Sequence, residues 1–138
     1  MTVKQISVFL ENTAGRLGEV TSLLGKGGVN LRAITIADTA DFGILRLIVD
    51  DHEKALGLFK EGGFTAKVTE VLAIEVEDGA GGLARVMKIF EDNNVNIEYL
   101  YATLEKSADK AVVIFRVEDI GAALDLIEAN GLSMVTGF

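Results

Sequence analysis

Two stretches of this chain repeat one another, and the repeat limits the fold more than any other feature. "ENTAGRLGEVTSLLGKGGVNLRAIT" begins at Glu11 and "EDGAGGLARVMKIFEDNNVNIEYLY" begins at Glu77. An offset of 66 pairs Glu11 with Glu77, Gly15 with Gly81, Leu17 with Leu83, Val20 with Val86 and Asn30 with Asn96. Further on the offset becomes 68, pairing Leu45 with Val113, Leu47 with Phe115, Val49 with Val117 and Gly63 with Gly131. A duplication with two extra residues in one connection, around "LEKSADK", accounts for nearly the whole chain. Whatever is built must be built twice, and the expected units are residues 1–69 and 70–138.

Each copy reads as strand, helix, strand, strand, helix, strand. The first strand (Lys4 to Leu10; Leu72 to Val76) is rich in β-branched residues and ends at an acid followed by a turn. Leu17, Val20, Leu23 and Leu24 recur at helical spacing, as do Leu83, Val86, Ile89 and Phe90. "GKGG" and "EDNN" end that helix, because glycine and asparagine accept the left-handed conformation of a helix C-terminus. The next strands alternate along Val29, Leu31, Ala33 and Thr35, and along Val95, Ile97, Tyr99 and Tyr101. Asp51 and Asp119 are placed to cap a second helix, and "FTAKV" or "LSMVT" supplies a closing strand. This order predicts an α+β fold of two ferredoxin-like βαββαβ units, each an antiparallel sheet with helices on one face. The connection at Thr69-Glu70 is too short for the units to wander independently.

Composition removes several function classes. With a net charge of −8 the chain is a poor binder of phosphate backbones, so no nucleic-acid partner is expected. No apolar run approaches the ~20 residues of a membrane helix. The start, "MTVKQISVFLEN", lacks the regions of a signal peptide, which points to the cytoplasm. Without cysteine there is no disulfide, thiolate nucleophile or cysteine-ligated metal.

The turn after each first strand carries the most chemistry. In "ENTAGRL" a glycine leads into a helix N-terminus, whose unpaired amides make a seat for a carboxylate. Asn12 adds a donor and an acceptor beside it. The residues alone also admit a plainer reading, with Gly15 as a tight turn and Asn12 as a cap. Asn30 begins the following strand beyond the far end of the same helix. It completes a polar cluster with Asn12 only if another domain or chain approaches.

Loop, helix and V-N strand start, written twice, resemble the ACT domain, a small regulatory module that binds amino acids. The family pattern is an acidic or amide residue, a variable residue, Pro-Gly, a leucine, an apolar helix, then Gly-(Val/Ile)-Asn-(Ile/Leu). Both copies depart from it with Ala14 or Ala80 in place of the commonest proline. The resemblance implies a ligand held between the loop of one domain and the second strand of a neighbour. Carried over, the contacts are Asn12, Thr13, Ala14, Gly15, Arg16, Leu17 and Asn30, and in the second copy Asp78, Gly79, Ala80, Gly81, Gly82, Leu83 and Asn96. The copies differ chemically. Asp78 would repel a ligand carboxylate, Arg32 becomes Glu98, and Ala33 and Thr35 become Tyr99 and Tyr101. Asn12 and Asn30 are the favoured pair for an occupied site.

The function so implied is a non-catalytic amino-acid-binding regulator with no cofactor, metal or catalytic residue. Its alternative is a detached regulatory subunit of an amino-acid or keto-acid pathway enzyme, a biosynthetic or catabolic partner, and a small enzyme on the same scaffold ranks below both. His52, alone in "DDHEK", reads as a surface residue rather than a base. "GKGGVN" follows a helix and lacks the spacing of a phosphate loop. Tyr99 and Tyr101 share a strand face, but no basic ribonucleoprotein motif accompanies them. A homodimer is expected, with a second chain closing exposed edge strands and the helix-free sheet face.

Overall fold

A computed structural model describes residues 2–38, 41–107 and 109–138 of the chain. The elements run β1 (Val3–Glu11), α1 (Arg16–Lys26), β2 (Leu31–Asp38), β3 (Phe42–Val49), α2 (His52–Glu61) and β4 (Thr65–Glu77). They continue with α3 (Gly82–Asp92), β5 (Ile97–Ser107), β6 (Lys110–Val117) and α4 (Ile120–Ala129). Two compact units result, one of Lys4–Thr69 with Phe138, the other of Glu70–Gly137 with the N-terminal residues up to Val3. Both are α+β and ferredoxin-like.

In the first unit the strand order is β2-β3-β1, all antiparallel. Register places Ile6 opposite Leu47 and Val8 opposite Leu45. These residues and Leu10 share one face, where Val20 and Leu24 of α1 and Ala55 and Phe59 of α2 cover them. Strand alternation and helical periodicity thus meet in one core. The second unit repeats this with order β4-β6-β5. Leu72, Ile74, Val113 and Phe115 pack under Val86, Phe90, Ala123 and Ile127. Phe90 and Phe115 are both fully buried, with ring centroids 5.8 Å apart.

Caps form where the sequence places them. Asp51 Oδ1 accepts from the Lys54 amide and Asp119 Oδ1 from the Ala122 amide, each at 3.1 Å. Such a cap contributes about 1 kcal/mol. "EDNN" ends α3 with Asn94 at φ 56°, a left-handed residue that is not glycine.

Two details differ from the sequence reading. "FTAKV" does not close the first copy as a separate strand. It runs without a break through Thr69 and Glu70 into β4, because nothing between Thr65 and Glu77 breaks a strand. "LSMVT" forms only a short extended segment. The Ser133 carbonyl accepts from the Glu75 amide and the Val135 amide donates to the Ala73 carbonyl, both at 2.9 Å.

The second difference concerns the extra residues. Element starts shift by 66 at β2 and β5, then by 68 at β3 and β6. The change is taken up inside β5, where the register on β6 shifts between Ala102 and Lys106. Ala108, in the expected insertion segment, lies outside the described residues.

On the strands, Gln5, Ala33, Ile48, Ala73 and Ile114 alternate with the core positions and are at most 1% exposed. Buried Gln5 donates from Nε2 to Ser7 Oγ at 3.2 Å, so the polar pair is hydrogen-bonded there.

Candidate functional site

Both copies build the turn between first strand and first helix with one backbone pattern. The Asn12 amide donates to the Asp41 carbonyl at 2.9 Å, and the Asp78 amide to the Asp109 carbonyl at 3.2 Å. The next amide folds back, Thr13 to the Glu11 carbonyl and Gly79 to the Glu77 carbonyl. Gly15 and Gly81 are the N-caps, with φ of 91° and 84°. That left-handed conformation costs a residue with a Cβ roughly 1–2 kcal/mol, so glycine is fixed by geometry at both positions. Neither helix has a side-chain cap; the first amide of each folds back on the turn, Arg16 to the Thr13 carbonyl at 3.4 Å and Gly82 to the Gly79 carbonyl at 3.1 Å. Asn12 as a cap is thereby corrected, since Gly15 holds that place.

The side chains on these two frames diverge. Asn12, Thr13, Ala14, Gly15 and Leu17 are exposed, and Arg16 is half-buried. The Arg16 guanidinium lies over the Phe64 ring, 4.8 Å from its centroid. Its Nη1 donates to Glu19 Oε2 at 2.7 Å, while its Nε is buried with no hydrogen-bond partner. In the second copy Asp78, Gly79, Ala80, Gly81 and Leu83 are exposed and Gly82 is buried. A Cβ at Gly82 would collide with the Glu77 carbonyl oxygen. Arg85 reaches back to Glu77, Nη1 to Oε1 at 3.6 Å, on an exposed surface. A cleft of about 100 Å³ beside Gly82 is lined by Glu75, Glu77, Arg85, Lys110 and Asn130, among others.

Asn30 stands elsewhere. Its amide donates to Asp50 Oδ1 at 3.0 Å, and the Asp50 amide returns a bond to the Asn30 carbonyl at 3.1 Å. These bonds tie the start of β2 to the end of β3. Within the first unit the 11-residue α1 separates Asn30 from Asn12, a length of about 16 Å at 1.5 Å per residue. One unit therefore does not bring the two asparagines together. Asn96 likewise sits across α3 from Asp78, its carbonyl accepting from the Glu118 amide at 3.0 Å. It lines two open clefts of about 360 and 690 Å³ at the helix C-terminus and the start of α4.

Sequence reasoning missed Asp41 and Asp109, whose carbonyls anchor the turns, and Phe64 and Glu19, which hold Arg16. The Arg16–Glu19 spacing of three on a helix was a readable signal. Phe64, far along the chain, carried none. Among the described residues no group of three His, Asp or Glu side chains is placed to hold a metal ion. No helix among them is long and apolar enough to cross a membrane.

A pair of ferredoxin-like units, each with a glycine-capped turn after its first strand, defines a small α+β protein. The chain belongs to the ACT domain family: the model for an ACT domain pair matches residues 1–137. It is 30% identical over 95 residues to the acetolactate synthase small subunit of Buchnera aphidicola subsp. Baizongia pistaciae, a match covering 68% of this chain and 59% of that protein. The chain thus spans less than two thirds of that relative's length. The crystal structure of protein BT0572 from Bacteroides thetaiotaomicron matches with a TM-score of 0.92 and 37% identity, covering 98% of this chain and 92% of that one. The ligand-free regulatory subunit of aspartate kinase from Thermus thermophilus shares the fold, with a TM-score of 0.64 and 18% identity, covering 91% and 90%.

Proposed function

We propose that this protein is a non-catalytic, cytoplasmic amino-acid sensor, and that the ligand's polar end is held at the Asn12–Leu17 turn. The observation that carries the reading is the twice-built turn. The same backbone bonds and a left-handed glycine present an uncapped helix start beside a polar side chain in each copy. Asn30 serves the same ligand only from a neighbouring domain or chain, since its own unit keeps it a helix length away. Binding across such a contact favours one packing arrangement by the ligand's differential affinity for the two.

The match to an acetolactate synthase small subunit supports a second reading, in which the chain is the detached regulatory subunit of a pathway enzyme. That reading keeps the ligand and adds a protein partner.

A thermal-shift screen of the twenty amino acids tests the sensor. An amino acid at ~100 times its dissociation constant stabilises the fold by about 2.7 kcal/mol. Asn12→Ala and Asn30→Ala remove that gain and leave the unliganded melting point nearly unchanged, since both side chains are exposed. Two variants that bind as wild type would defeat the assignment.

A further inference from the structure

The two turns share a backbone, but only the first has an arginine at the first helix position, stacked on a ring, whereas the cations beside the second, Arg85 and Lys110, line a cleft shared with Glu75 and Glu77. Resting on the sensor reading above, we infer that the first copy alone is the ligand seat: Arg16 clamps the carboxylate and Glu19 is its built-in competitor.

The argument begins with the fork of donors. A guanidinium offers Nε and Nη protons in a plane that matches a carboxylate, and a stacked aromatic ring holds that plane in place. Phe64 supplies the ring for Arg16. Glu19 engages Nη1, whereas Nε is shielded from solvent and has no hydrogen-bond partner. The fork is therefore only partly satisfied in the ligand-free chain, and its present partner is a half-exposed side chain on the same helix. An i,i+3 pair of this kind is weak and easily exchanged. An incoming α-carboxylate replaces Glu19 with a second anion that also meets the uncapped helix start.

Every element of this arrangement is absent from the second copy. Gly82 stands in place of Arg16, Leu132 in place of Phe64 and Arg85 in place of Glu19. No side chain fits at position 82, because the Glu77 carbonyl oxygen occupies the path of a Cβ. Arg85 is largely exposed and turned to Glu77, and Asp78 adds a negative charge at the position of Asn12. That turn holds the fold and takes no carboxylate.

Isothermal titration of the full chain with each of the twenty L-amino acids, followed by the α-carboxamide of the strongest binder, tests this. One molecule binds per chain. Arg16→Gln weakens the amino acid about tenfold or more, as loss of a charge-assisted contact should, and the carboxamide binds wild type and Arg16→Gln alike. Glu19→Gln tightens the amino acid about two- to fivefold, the weight of an exposed ion pair. Melting points without ligand show whether each variant is folded, and if Arg16→Gln is not, Glu19→Gln decides. Two molecules per chain, undiminished binding by a folded Arg16→Gln, or weaker binding by Glu19→Gln would overturn this inference and leave the sensor reading standing. Failure of all twenty amino acids to bind would overturn both.

Discussion

At the scale of single residues, two glycines at the helix starts show how differently one residue type can be used. Gly18 in α1 has open space where a Cβ would go, and its counterpart in the other copy is already Ala84. Gly82, at the first position of α3, faces the Glu77 carbonyl oxygen. Gly18→Ala is therefore expected to stabilise the fold by up to about 1 kcal/mol, through the helix propensity gained. Gly82→Ala is expected to destabilise it, since backbone and not a flexible side chain must move. Urea unfolding midpoints of the two variants check the opposite signs. The glycine-rich turns and the capping aspartates were legible in the sequence because capping is local chemistry. The stack of Arg16 on Phe64 was not, since it joins residues far apart in the chain that share no periodicity.

At the scale of elements, strands tolerate change in steps of two. The extra residues of the second copy form an irregularity in β5 between Ala102 and Lys106, so alternation stays in phase on either side. Deleting Thr103 and Leu104 together is expected to restore the register of the first copy, changing stability by no more than about 0.5 kcal/mol. Deleting Leu104 alone reverses the faces at the tip of the hairpin and should cost clearly more. Thermal unfolding of the two deletions separates these outcomes. Helices and internal strands could be read from apolar spacing because that spacing is what packs them. The merger of "FTAKV" with the next strand escaped notice because repeat logic puts a boundary at Thr69-Glu70. The residues there, Val68-Thr69-Glu70-Val71, contain nothing that stops a strand.

At the scale of the whole molecule, the outer strands β2 and β5 are surfaces open to association. β2 and β5 are each an outer strand of a unit, and they expose Ile34, Ile36, Leu100 and Leu104 at 36–72%. Unpaired edge amides beside apolar side chains invite pairing with another copy. We propose a homodimer built on these edges. Sedimentation at micromolar concentration is expected to give twice the 14.7 kDa of one chain. Ile34→Lys with Ile36→Lys should return it to a single-chain mass, and a wild type sedimenting at that mass throughout would sink the dimer. Sequence reading found the edges from their composition.

Gly82 also sets the direction in which the two copies can change. With glycine at this position, the Glu77 carbonyl lies in the space a larger residue would need. Placing arginine there by one substitution meets a main-chain obstacle, and the turn must shift at the same moment. The divergence of the copies therefore works as a ratchet, and selection for a second carboxylate seat would reach it more easily by copying the first half again than by repairing the second.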